Sequence, residues 1–138
     1  MWVDMNDTTG EQQAGFKKDY STVDHIFILL AIVQKQLSSN RKLYVAFIDF
    51  EKAFDSISRK LLWPILQKQG IRGKLFLCVK SMYDVVKALV RDGASLTESI
   101  HCLRGVKQGD ECSPILFSLF INELALDIIK GGKHGAIL

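Results

Sequence analysis

Apolar runs and short polar breaks alternate along the chain, and their spacing predicts its elements. Residues 1–20 are polar and glycine-containing and read as a tail or loop. Ser21 or Thr22 caps a helix whose apolar body, Ile26 to Val33, is expected in the core, and Ser38-Ser39-Asn40 ends it. Leu43-Tyr44-Val45-Ala46-Phe47-Ile48 is a continuous apolar and aromatic run that reads as a buried strand ending at Asp49. Ser58 caps a second helix toward Gly70, a C-terminal glycine, with Pro64 inside it as a kink or a delayed start. Residues 74–84 read as a third helix, with Leu75, Leu77, Val79 and Met82 available for burial. Residues 86–91 and 96–102 flank Asp92-Gly93-Ala94-Ser95 as a hairpin. Residues 105–114 form a loop with two glycines, and Pro114 opens a last helix that runs through Ile129 and breaks at Gly131-Gly132.

These elements make an α+β chain, with helices packed on a small antiparallel sheet. The 43–49 strand is apolar on both faces and is expected to be central, yet few strands are available to flank it. Either the hairpin flanks it or the sheet has an incomplete edge.

Composition fits one globular domain with a real core, since 48% of the 138 residues are hydrophobic and 24% charged. The three cysteines, Cys78, Cys102 and Cys112, form no CxxC pair, which suggests a reducing compartment, nuclear or cytoplasmic, and no disulfide framework. The first residues lack a basic-then-apolar leader pattern, and the longest apolar run, residues 26–33, is too short to span a bilayer, so no membrane partner is expected. Net charge is only +3, but residues 59–91 alone carry +7, from Arg59, Lys60, Lys68, Arg72, Lys74, Lys80, Lys87 and Arg91 against Asp84. Such a stripe suits either a phosphate backbone or an ordinary solvated helix face.

Asp49 is the first candidate for chemistry. A carboxylate at the end of a buried strand has to be paired, protonated or bound to a metal. Mg²⁺ favours carboxylate oxygens and leaves room for substrate phosphates, whereas a structural Asp would cap a turn or pair with a lysine. The turn that follows places the backbone N–H groups of Lys52 and Ala53 where an anion would find them. Asp55 reads as a cap for the next helix. The stretch "RGVKQGDECSP", residues 104–114, combines flexible glycines with the two-headed amide of Gln108 and reads as a substrate-lining loop or a plain connection. His101, Cys102 and Cys112 fit no common zinc spacing, and Tyr83 reads as a helix-packing aromatic rather than a base-stacking one.

Three stretches together resemble the reverse transcriptases of LINE-type (non-long-terminal-repeat) retrotransposons. "LYVAFIDFEKAFDSIS" resembles palm motif A, "RGVKQGDECSPILFSLFINEL" resembles motif B, and "EQQAGFKKDYSTVDHIFIL" resembles the fingers segment ahead of motif A. The resemblance implies a partial right-hand polymerase, fingers at about 11–42 and palm at about 43–138, behind a non-matching tail at 1–10. It implies RNA-directed DNA synthesis by two-metal nucleotidyl transfer, with Mg²⁺, an RNA template, a DNA primer and a deoxynucleoside triphosphate. Asp49 then resembles the catalytic, metal-binding aspartate, with the Phe50 carbonyl as a second ligand. The amides of Lys52 and Ala53 resemble the triphosphate contacts. Phe54 resembles the aromatic gate that rejects a 2′-hydroxyl, a clash built against the wrong substrate. Gln108 resembles the residue near the nucleotide sugar and base, and Gly109, Ser113 and Pro114 the lining of the template and primer.

Two departures stand out. Asp110-Glu111-Cys112 replaces the Cys and apolar residues that many family members carry after the motif B glycine. The family's motif C, with its two adjacent aspartates, has no counterpart, since no Asp-Asp pair occurs in the sequence. The chain is therefore expected to be the central slice of a polymerase, inactive alone. The other readings are a non-catalytic nucleic-acid-binding module, using the basic stripe, and an inert gene remnant.

Overall fold

A computed structural model describes residues 9–10 and 13–131. The chain clusters into two compact units, Met1–Glu51 with Ile121–Leu138, and Lys52–Phe120. Helices and a small antiparallel hairpin give the α+β class read from the sequence.

The Lys52–Phe120 unit begins with a one-turn helix, α2 (Ala53–Ser56), entered through Lys52 in the left-handed conformation at φ 50°. Helix α3 (Arg59–Lys68) follows Ser58, which is extended but makes no side-chain cap bond. The helix begins at residue 59 and continues through Pro64, with no delayed start. Leu62 and Leu66, one turn apart, are completely buried, each contributing about 1.5–3 kcal/mol by removal from water. Its end is a Schellman motif: Ile71 N donates to Leu66 O at 2.9 Å and Gly70 N to Gln67 O at 3.2 Å, with Gly70 at φ +86°. The C-terminal glycine read from the sequence is thus in place.

Helix α4 (Gly73–Ser81) stops short of Asp84, where a turn takes over, and the Ser81 hydroxyl donates back to Cys78 O at 2.8 Å. Leu75 and Leu77, expected to be buried, are 48% and 62% exposed. Phe76 points inward instead, edge-on to Trp63 with ring centroids 6.3 Å apart. Tyr83 is buried at 4% exposure and packs on Trp63 at 6.0 Å, in keeping with the packing reading.

The hairpin forms as the sequence predicts. Strand β1 (Lys87–Ala88) pairs antiparallel with β4 (Ile100–His101), and β2 (Arg91–Asp92) with β3 (Ser95–Leu96), around Gly93 at φ +59°. The return strand carries one more residue between the two ladders than the outgoing strand, a bulge. Thr97 fills it: its Oγ1 accepts from Val90 N at 3.0 Å while its own N donates to Val90 O at 2.9 Å. Helix α5 (Ser113–Gly131) starts with Pro114 in its first turn and buries Leu116, Ser118 and Leu119 in this unit.

In the other unit, Ser21 caps helix α1 (Thr22–Ser38) by accepting from Val23 N at 3.1 Å. Near the unit's start, Lys17 is buried, with Nζ donating to Thr9 O at 3.2 Å and Gly10 O at 3.3 Å and lying 4.0 Å from the Tyr20 ring centroid. Gly10 N in turn donates to Asn122 Oδ1 at 3.0 Å. Two expectations fail in this unit. No residue of α1 is buried, so Ile26 to Val33 is not core. Its apolar residues run all round the helix and need neighbours on every side, and the described part of its unit does not supply them. Residues 43–49 form no strand either, and all are exposed. A strand needs a neighbour to complete its ladder, and among the described residues the hairpin strands pair only with each other.

Candidate functional site

The two stretches singled out in the sequence close on each other within the Lys52–Phe120 unit. Val106 N donates to Phe54 O and Gly105 N to Ile57 O, each at 2.9 Å. This zipper needs a glycine at 105. A Cβ there would stand 2.7 Å from Asp55 Cα and 2.8 Å from Phe54 O, and the residue's φ is +80°.

Arg59 fastens the same loop from behind. Its Nε donates to Gly105 O at 2.8 Å, NH2 to Arg104 O at 3.0 Å, and NH1 to Tyr83 O at 3.2 Å. The guanidinium also lies 5.2 Å from the Tyr83 ring centroid, and the Tyr83 hydroxyl meets buried Ser113 Oγ at 3.3 Å. Arg59 was read as part of the basic stripe, yet it is half-buried and committed to three backbone carbonyls. The seven other cations of that stripe are exposed.

A cleft of about 550 Å³ opens beside the zipper, lined by Phe54, Gln108, Gly109, Asp110, Glu111, Ser113 and Pro114. This volume suits a small organic ligand. Five of these residues, Phe54, Gln108, Gly109, Ser113 and Pro114, are ones the sequence singled out, from positions more than fifty residues apart. Phe54 stacks on Phe117, ring centroids 5.1 Å apart and planes 22° apart, which fixes the ring at the cleft wall. Gly109 adopts φ +84° with open space around its Cβ position, so the turn rather than close approach requires glycine there.

Asp55 is not a helix cap. It lies inside α2, and its Oδ2 accepts from Gln108 Nε2 at 3.1 Å. Asp110 builds the loop: its Oδ1 accepts from Cys112 N at 2.8 Å and its carbonyl from Ser113 N at 3.1 Å, ahead of α5. Glu111 is exposed at the cleft rim. Cys112 is surface-exposed overall, yet partial burial, followed by the charges of Asp110 and Glu111, pushes its thiol above the usual range.

Asp49 and Phe50 belong to the other unit and lie on the irregular, exposed run ahead of Glu51. With Asp49 in water, the premise that burial forces it to find a partner does not hold. Lys52 and Ala53 open α2, the first exposed and the second half-buried.

Residues 3–135 match the family model for reverse transcriptase (RNA-dependent DNA polymerase). The chain belongs to the reverse transcriptase family. It is 34% identical over 113 residues to the "Retrovirus-related Pol polyprotein from type-1 retrotransposable element R2" of Popillia japonica, covering 78% of this chain and 16% of that protein. It is 33% identical over 114 residues to the type-2 element R2DM Pol polyprotein of Drosophila melanogaster, covering 82% of this chain and 11% of the relative. A third relative, "Transposon TX1 uncharacterized 149 kDa protein" of Xenopus laevis, is 31% identical over 115 residues, covering 83% of this chain and 9% of that protein. The chain thus spans less than a fifth of the length of these relatives. They bear out the LINE-type resemblance and make the chain a reverse transcriptase segment.

Reverse transcriptases generally use divalent metal ions and bind a nucleic acid template and primer. Among the described residues, no three His, Cys, Asp or Glu side chains converge to hold a metal ion. Asp49 is a single exposed carboxylate, and this donor set does not fit a two-metal centre on its own. No helix among the described residues is long and apolar enough to cross a membrane. Sequence reasoning missed the parts that Arg59, Asp55 and Asp110 play. Only Asp110 left a readable signal, an Asp placed ahead of a Ser-Pro helix start.

Proposed function

We propose that the cleft receives the incoming deoxynucleotide of an RNA-directed DNA polymerase that uses Mg²⁺, an RNA template and a DNA primer, and that this chain alone does not catalyse incorporation. One observation carries the reading: Phe54 from the first motif and Gln108 to Pro114 from the second line a single cleft. The flat Phe54 ring, held on Phe117, serves as the gate against a 2′-hydroxyl. Gln108 meets the sugar and base, and Gly109, Ser113 and Pro114 border the template and primer. The amides of Lys52 and Ala53 face the triphosphate. Asp49 and the Phe50 carbonyl supply one part of a metal site.

The test is a titration with dTTP and its matched ribonucleotide, 5-methyluridine triphosphate, followed by NMR of the chain. The expected result is tighter binding of dTTP, with the preference lost in Phe54→Ala. Equal affinity for both nucleotides in the native chain overturns the gate. Incorporation on a primed RNA template with Mg²⁺ is expected to be absent, and robust Asp49-dependent incorporation overturns the claim of inactivity.

The exposed cations Lys60, Arg72, Lys74, Lys80, Lys87 and Arg91 favour a second role, holding a phosphate backbone. Binding to an RNA–DNA duplex should then weaken steeply with salt, and neutralising Lys60, Arg72 and Lys74 should flatten the slope. Salt-insensitive binding would sink this role.

A further inference from the structure

Gln108 stands in the cleft wall, and its exposed side chain has one hydrogen-bond partner. Its Nε2 donates to Asp55 Oδ2 at 3.1 Å, from a position 53 residues further along the chain. We propose that Asp55 is a positioning residue: it fixes which end of the Gln108 carboxamide the cleft presents, and so which groups of a bound nucleotide are accepted there. This rests on the nucleotide reading of the cleft.

The last torsion of a glutamine is nearly two-fold, so without a partner its oxygen and nitrogen exchange places at little cost. A carboxylate only accepts hydrogen bonds. Asp55 therefore holds the NH₂ end and no other, and Oε1 turns away from it as a free acceptor. The cleft then meets an acceptor at Oε1, matched to a hydroxyl or amino donor of the ligand. A flipped amide would offer a donor and repel the same group.

Asp55 is well placed to hold this orientation. It is not a lining residue of the cleft, so its effect reaches a ligand through Gln108. The two partners also ride on one backbone zipper. Phe54 O and Ile57 O, on either side of Asp55, bond Val106 and Gly105, just ahead of Gln108. A Cβ at Gly105 would stand 2.7 Å from Asp55 Cα, a close approach that the two backbone hydrogen bonds hold.

The experiment uses the 138-residue chain labelled with ¹⁵N. The Gln108 side-chain amide signals, assigned by their loss in Gln108→Ala, are followed in Asp55→Ala, Asp55→Asn and Asp55→Glu, and each variant is titrated with dTTP. In the native chain the two amide protons should be well resolved and slow to exchange with water. Asp55→Ala should collapse that signature, Asp55→Asn should retain only part of it, and Asp55→Glu, which keeps a carboxylate, should retain more. Asp55→Asn matters because an asparagine can hold either end of the amide and so keeps the shape without the selection.

Asp55→Ala should weaken dTTP by about 3- to 10-fold, the size of one net hydrogen bond. The double variant with Gln108→Ala should bind no more weakly than Gln108→Ala alone, because the two residues act as one. Amide signals unchanged in Asp55→Ala, or losses that multiply in the double variant, overturn the proposal. A native chain that shows the amide signature but does not bind dTTP overturns the nucleotide reading and leaves the Asp55–Gln108 lock supported. Asp55 is exposed, so the folded spectrum should survive all three substitutions.

Discussion

Residues 43–50 and residues 53–57 are neighbours in sequence, and both belong to the stretch that resembles motif A. The first run is apolar, irregular and exposed, with Tyr44 at 87% and Phe47 at 84%. The second is tied down by Gly105 and Val106, backed by Phe117, and ends at Ile57 with 2% exposure. What separates them is where their partners lie. The second segment finds carbonyls, amides and rings within its own unit. The first has the composition of a strand but no ladder partner among the described residues, and composition alone does not supply one.

The largest effect should come from breaking the zipper of the ordered region. In Gly105→Ala the new methyl meets backbone atoms of Phe54 and Asp55 at 2.7 to 2.9 Å, on a residue at φ +80°. Neither backbone can give way without opening the contact that builds the cleft. The expected cost is about 3 kcal/mol or more, combining left-handed strain with a clash. Gly109→Ala is the internal control, since it has a similar φ of +84° but no atom within 4 Å of the new carbon. It should cost only about 1–2 kcal/mol. Urea unfolding of both variants checks the difference, and equal losses would mean that the close approach at Gly105 carries no weight.

Next in size is Arg59→Met, which retains much of the apolar stem and removes the guanidinium. Three carbonyls, on Tyr83, Arg104 and Gly105, lose their donor. Because the group is half-buried, the loss should be roughly 2 kcal/mol, below the sum of three fully buried charge-assisted bonds. If Arg59 belonged instead to a solvated basic stripe, the change would be close to zero, and the weakening of nucleic-acid binding would match that of Lys60→Met.

This contrast also marks what the sequence could reveal. Local chemistry was legible: Ser21 caps α1, Gly70 closes α3, Gly93 turns the hairpin and Pro114 opens α5, each through a preference set within a few residues. The family resemblance singles out Phe54, Gln108, Gly109, Ser113 and Pro114, and the fold brings these five to one cleft. Burial was not. Apolar content marks residues 26–33 and 43–49 as fit for a core, but whether a layer covers them depends on other parts of the chain. The Arg59 clamp was hidden for a related reason. Its acceptors are backbone carbonyls 24 to 46 residues away, and every residue type offers a carbonyl. An arginine among lysines looks like surface charge until the chain is folded.

The smallest effect should come from the exposed run, and its smallness is the point. Phe47→Ser removes a large aromatic side chain from a segment that reads as core by composition. Were residues 43–49 a buried strand, the loss would be about 3–5 kcal/mol, as for an aromatic truncated in a core. With Phe47 at 84% exposure and no ladder partner among the described residues, the change in unfolding free energy should stay within about 0.5 kcal/mol. Solubility should rise at the same time, since an exposed run rich in β-branched and aromatic residues is prone to pair with other copies. Urea midpoints and light scattering of Phe47→Ser beside the native chain measure both quantities. A midpoint shift as large as that of Arg59→Met would show that this run is packed in solution, and the contrast between the two halves of the motif would collapse.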